Sequence, residues 1–213
     1  MSRKIVEKVP DEALQRDLEK YRRRANELGA LDAKIITTDM ILIDERVRAK
    51  CINPKCEWYG TNASCPPHAI DLELVRKIVN NFHYGIFTMF KVPPEVVAGH
   101  RDEDVKERDR STLKNHEMIS KIEAEAFYDG YHLALGFANG PCKPILCPDV
   151  ECIALVPGQG CRHPLRARAS MEGAGMDAYT MAARVGWDIY PVGGATLPSE
   201  VPHGVRLGLV LIY

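Results

Sequence analysis

The sequence predicts an α/β fold of two related halves, each ordered strand, cysteine loop, helix, strand, forming one sheet flanked by helices. Three observations predict it. Two windows share one cysteine spacing, apolar runs of strand length alternate with amphipathic helical segments, and the element order repeats across the chain. The halves run from about residue 30 to 94 and from about 112 to 213, within one domain spanning residues 1–213.

Each element has its own signal. Leu14, Leu18, Tyr21, Ala25 and Leu28 recur at helical spacing over residues 11–28, and Gly29 follows as a stop. Residues 34–50 are rich in Ile, Thr and Val and read as strand, with a turn at Asp44-Glu45. Asp71 is placed to cap a helix over 71–82 that turns Leu72, Val75, Ile78, Val79 and Phe82 inward. Tyr84 to Val92 is a continuous apolar strand closed by Pro93-Pro94, so the first half reads as a βαβ unit. The polar run over 95–111 reads as a solvated loop or helix start, with a lid over the site as its functional reading. A long helix is expected from Thr112 to Asp129 and a strand from His132 to Ala138. Ser170 stands where a cap belongs, before a helix over 175–185. Short strands are expected at Trp187–Pro191 and Val205–Tyr213. Both cysteine loops then follow a strand and precede a helix, which puts them at one edge of the sheet, where α/β proteins bind ligands.

Composition narrows the function. Of the residues 46% are hydrophobic and 27% charged, ordinary for a globular chain large enough to fold without a metal. A net charge of −1 gives no basic field for nucleic acid, and Arg22-Arg23-Arg24 lies among acidic neighbours on a solvated helix face. Met1 to Pro10 has no apolar core of a signal peptide, and no run approaches the ~18 apolar residues of a membrane span. A cytoplasmic location is expected. Clustered cysteines in that reducing compartment argue for metal or redox chemistry over disulfides. The chain has no G-x-G-x-x-G, P-loop or nucleophile elbow, so nucleotide-dependent chemistry has no support in the sequence.

All seven cysteines lie in two windows. Cys51, Cys56 and Cys65 are spaced C-x4-C-x8-C; after Cys142, so are Cys147, Cys152 and Cys161. Both windows are rich in Gly and Pro, whose turns let several side chains converge and free backbone amides to meet cluster sulfurs. Buried free thiols would instead fall inside periodic apolar segments. Zinc favours shorter knuckles, while the cysteine count and Cys65-Pro66 favour iron–sulfur. Seven ligands divide as four plus three, which suits two 4Fe–4S clusters; ligands exchanged between the windows, or a single cluster with three spare cysteines, are the alternatives. The second cluster would have an iron that is open or held by a non-cysteine group such as His68.

The segment KCEWYGTNASCPPHAIDLE, with its cysteine, Tyr-Gly pair and Cys-Pro-Pro, resembles the first signature of a bacterial and archaeal family called "predicted metal-binding protein". The stretch from Asn139 to Tyr179 resembles the second signature, with its cysteines, Cys-Arg-x-Pro, Ser-Met-Glu and Gly-Met-Asp. The resemblance runs from about residue 35 to 190. It implies metal bound through these cysteines, a cytoplasmic home and frequent occurrence in anaerobes. It supplies no settled reaction.

Beyond the cysteines, His68, Arg162, Arg166 and Glu172 are candidates for substrate binding. The guanidiniums of Arg162, Arg166 and Arg168 suit an anionic group or cluster charge, and Glu172 suits an acceptor or general base. His163 is a weaker ligand candidate, and Trp58 and Tyr59 are placed to shield a cluster from water. Three functions follow. The first is electron transfer or a redox accessory role with a protein partner. The second is an enzyme binding a small substrate at an open iron. The third is a zinc-binding structural or interaction module.

Overall fold

A computed structural model describes residues 3–99 and 105–213. The first helix, α1, runs Asp11–Glu27. Asp11 and Glu12 in its first turn complement the helix dipole, and its apolar stripe of Leu14, Leu18, Tyr21 and Ala25 is buried. Gly29 follows in the left-handed region at φ 100°, which a side chain would disfavour.

Strand β1 is Asp32–Thr37, shorter than the sequence suggests. The rest of the expected strand is a 3₁₀ turn at Thr38–Met40 and a helix, α2, over Glu45–Ile52. The Asp44 carboxylate accepts from the Arg46 amide and starts that helix as its cap. Helix α3, Leu72–Asn80, begins where Asp71 accepts from the amides of Glu73 and Leu74. Strand β2 is Tyr84–Val92. Helix α4, Val105–Tyr128, starts earlier than expected and takes in much of the polar run; residues 100–104 lie outside the described residues.

The second half contains β3 (Leu135–Ala138), a one-turn α5 (Lys143–Leu146), β4 (Ala169–Ser170), α6 (Ala178–Arg184) and β5 (Gly204–Leu211). Ser170 is no helix cap. It lies in β4, and its hydroxyl accepts from the Gly173 amide, while Asp177 caps α6. Trp187–Pro191 forms no strand; Trp187 is buried against Phe87, ring centroids 4.9 Å apart, and its indole donates to Asp32.

The five strands are ordered β1-β2-β5-β3-β4. Only β3 and β4 are parallel; β1 with β2, β2 with β5, and β3 with β5 are antiparallel. The expected parallel βαβ unit is therefore an antiparallel pair. Thr37 ends β1 opposite Tyr84, the start of β2, so residues 38–83 form one long hairpin connection. The chain from 139 to 203 likewise connects β3 to β5. The two connections leave opposite ends of the sheet, one at Thr37 and the other at Ala138, so the cysteine loops do not share an edge through their strands.

They meet by another route. After β1 the chain runs beside residues 175–177, with a bridge between Ile43 and Met176 and amide bonds from Asp177 to Leu42 and Asp44 to Gly175. That contact brings α2 to the region where β3 ends.

The sheet is covered on both faces. Alternation along β2 sends Ile86 and Phe90 toward α1 and α4, and Phe87 and Met89 toward α3 and α6. Leu209 and Leu211 of β5 join the second group and Val210 the first. Each large apolar side chain so buried contributes about 1.5–3 kcal/mol.

Candidate metal centre

The first cysteine window is a compact loop stitched by its own backbone. Cys51 occupies the last turn of α2, and its carbonyl accepts from the Cys56 amide at 3.0 Å. The Cys56 carbonyl accepts from Tyr59, and the Cys65 carbonyl from both His68 and Ala69. Asn62 is fully buried, and its carbonyl oxygen accepts from the amide and hydroxyl of Ser64. Such pairing satisfies a loop that has no ladder. The result directs Cys51, Cys56 and Cys65 into one cleft of about 390 Å³, with Trp58, Asn139, Glu172, Arg108 and Arg206 also in its wall. A larger cleft of about 730 Å³ shares Lys50, Cys51, Asn139 and Glu172 with the first.

The second window uses spacing differently. The x4 gap between Cys142 and Cys147 holds α5, and the two cysteines flank its ends. Cys142, Cys147, Cys152 and Cys161 line a second, smaller cavity with Asn62, Arg162 and His163. The His163 amide donates to Cys161 Sγ at 3.3 Å, the type of N–H to sulfur bond that tunes a cluster.

The two sites abut. Ser64 Oγ lies 3.6 Å from Cys142 Sγ, and Asn62 of the first window stands in the wall of the second site. The turn at Met171–Gly173 locks them together. Met171 donates its amide to the Ala138 carbonyl, and a Cβ at Gly173 would come within 2.2 Å of the Ser64 carbonyl oxygen. Buried His116 fixes the other side. Its Nδ1 accepts from the Arg168 amide, so its Nε2 carries the proton and donates to the Gly140 carbonyl.

Burial governs the thiols. It pushes the Cys65 thiol up to about 11, and raises Cys51 and Cys142 as well, with neighbouring cysteines adding to each. These three thiols thus rest protonated in the bare protein. A bound cation reverses that by drawing off the protons.

The predicted residues divide. The seven cysteines gather as three and four around adjoining spaces. Glu172 lines the three-cysteine cleft, and its carboxylate accepts from Asn139 Nδ2 and, at 3.1 Å, from the Gly140 amide. Arg162 lines the four-cysteine cavity and donates to the Glu151 carbonyl. His68 is exposed, outside the lining of either space. Arg166 pairs with Glu117 and Arg168 with Glu123, both on α4, so they brace the second window's exit. Trp58 lines the three-cysteine cleft, and Tyr59 meets Lys55.

Asn139 and Arg206 were missed by sequence reasoning. Arg206 Nη1 donates to Asn139 Oδ1 at 2.7 Å, behind Glu172. A charged residue in the otherwise apolar β5 was the available signal for Arg206; Asn139 had none beyond its place before Gly140.

The donor set is the kind that holds soft metals: thiols, all but the exposed Cys161 at least partly buried, with an amide and a hydroxyl near two of the sulfurs. Among the described residues, no three His, Cys, Asp or Glu side chains converge as the ligands of one ion do. The thiols stand instead around shared space.

No curated protein sequence and no solved structure matches the chain. A family model does, over residues 34–212, which takes in both cysteine windows, the whole sheet after its first two residues, and the turn that joins the windows. The chain belongs to the family described as predicted metal-binding protein (DUF2284).

Proposed function

We propose that the protein holds two iron–sulfur clusters and passes electrons between them and a protein partner in the cytoplasm. Cys142, Cys147, Cys152 and Cys161 would complete one cubane. Cys51, Cys56 and Cys65 would bind three irons of the other. The observation that carries this reading is the pair of adjoining spaces, one walled by four thiols and one by three, touching through Ser64 and Cys142. When bound, such clusters supply one-electron chemistry; the chain's own part is to hold the sulfurs, exclude water and donate hydrogen bonds to them.

A specific feature favours a second reading alongside the first. The three-cysteine side opens into clefts of about 390 and 730 Å³ that share Cys51. Pure electron transfer has no use for such room, whereas a small organic substrate reaching a non-cysteine iron does.

The test is anaerobic purification with iron, sulfide and zinc analysis. The expected product is brown, absorbs near 400 nm and contains about eight irons per chain. Cys147→Ser should lower iron to about half. Colourless protein carrying zinc from an oxygen-free preparation would overturn the proposal. A spectrum that shifts on adding cyanide or a small thiol selects the enzyme reading; one that does not selects electron transfer.

A further inference from the structure

Of the non-cysteine groups near the first window, one is built as a ligand. We propose that Glu172 is the fourth protein ligand of the three-cysteine site, closing it with a carboxylate where the other site has a cysteine. The inference rests on the two-cluster reading and deepens it.

Three observations carry it. Glu172 lines the same cleft as Cys51, Cys56 and Cys65, and its place in that wall is fixed by Gly173, which packs on Ser64 of the same window. Its carboxylate is oriented from behind. Asn139 Nδ2 donates to one oxygen and the Gly140 amide to the other, which leaves each oxygen a lone pair. The orienting group is itself held: Asn139 Oδ1 accepts from Arg206 at 2.7 Å, and the Asn139 backbone N–H donates to Asn115 Oδ1 at 2.7 Å. Metal-bound carboxylates have such outer hydrogen bonds, which set their direction and charge.

His68, the other candidate, is exposed and outside the cleft. A carboxylate is also the more exchangeable ligand for iron that is otherwise held by sulfur. It would keep that iron in place at rest and yield it to a Lewis base entering from the shared cleft, whose lining includes Glu172 on both sides.

The test uses iron-57-labelled, anaerobically purified full-length chain, with Glu172→Gln, Glu172→Ala and His68→Ala beside the native protein. Mössbauer spectra should show about one iron in eight with a mixed sulfur and oxygen environment in native protein and His68→Ala. That subsite should change in Glu172→Gln, which keeps the shape of the side chain. Under brief air exposure both Glu172 variants should lose this iron roughly tenfold faster and give the paramagnetic signal of a three-iron cluster. Circular dichroism confirms folding, and if Glu172→Ala fails to fold, Glu172→Gln decides. Eight irons with identical spectra and air sensitivity in native protein and Glu172→Gln would overturn the inference while leaving the two-cluster reading standing. Native protein without iron would overturn both.

Discussion

Gly173 has no room for a side chain. A methyl group there would meet a backbone oxygen that cannot swing aside, because Ser64 is tied to buried Asn62. Gly173→Ala should destabilise the protein by about 2–4 kcal/mol and separate the windows, seen as a lowered urea midpoint. His116 makes a second prediction at this scale. Burial lowers its pKa from 6.5 to about 4, so it stays neutral in the fold. Below pH 6.5 the unfolded chain takes up a proton that the folded protein refuses until about pH 4. Its contribution is full above pH 6.5 and is lost as pH falls through that window, by about 3 kcal/mol. Urea titrations at pH 7.5, 6 and 5 should show this decline, and His116→Asn should flatten its slope.

Among the elements, α3 is the cleanest local case. Asp71 satisfies two orphan amides, so Asp71→Ala should cost about 1 kcal/mol, read from the thermal midpoint. That cap was legible in the sequence, as were α1, β2 and β5, because each rests on a signal within one short segment. Asp44 has the same chemistry and was missed: the Ile and Thr residues before it suggested strand, and a cap at a turn reads the same as a turn. The pairing direction was not legible either. A crossover unit and a hairpin with a long insertion share one element order, and only the antiparallel register of β1 against β2 tells them apart. Cysteine spacing gave the three-and-four grouping but no hint of Arg206 or Asn139, because a hydrogen-bond network joins residues whose separation in sequence has no pattern.

Taken whole, the molecule separates its core from its metal region. Apolar clusters pack on both faces of the sheet, and the cysteine windows are held by turns and polar contacts. Stripping metal with a chelator should therefore leave the sheet and its amide protection intact. Limited proteolysis should then cut selectively within residues 51–65 and 142–161, and metal should suppress those cuts. Loss of all protection on chelation would show instead that the fold depends on its cofactor.

Contact between Ser64 and Gly173 also has a bearing on biosynthesis. The wall of the amino-terminal site emerges from the ribosome more than one hundred residues after the cysteines it completes. A nascent chain halted before residue 170 should present those three thiols without their cover, and cofactor insertion should wait for the finished polypeptide. Stalled chains of graded length, assayed for iron uptake, would show retention beginning only once the Ser-Met-Glu-Gly turn has cleared the exit tunnel.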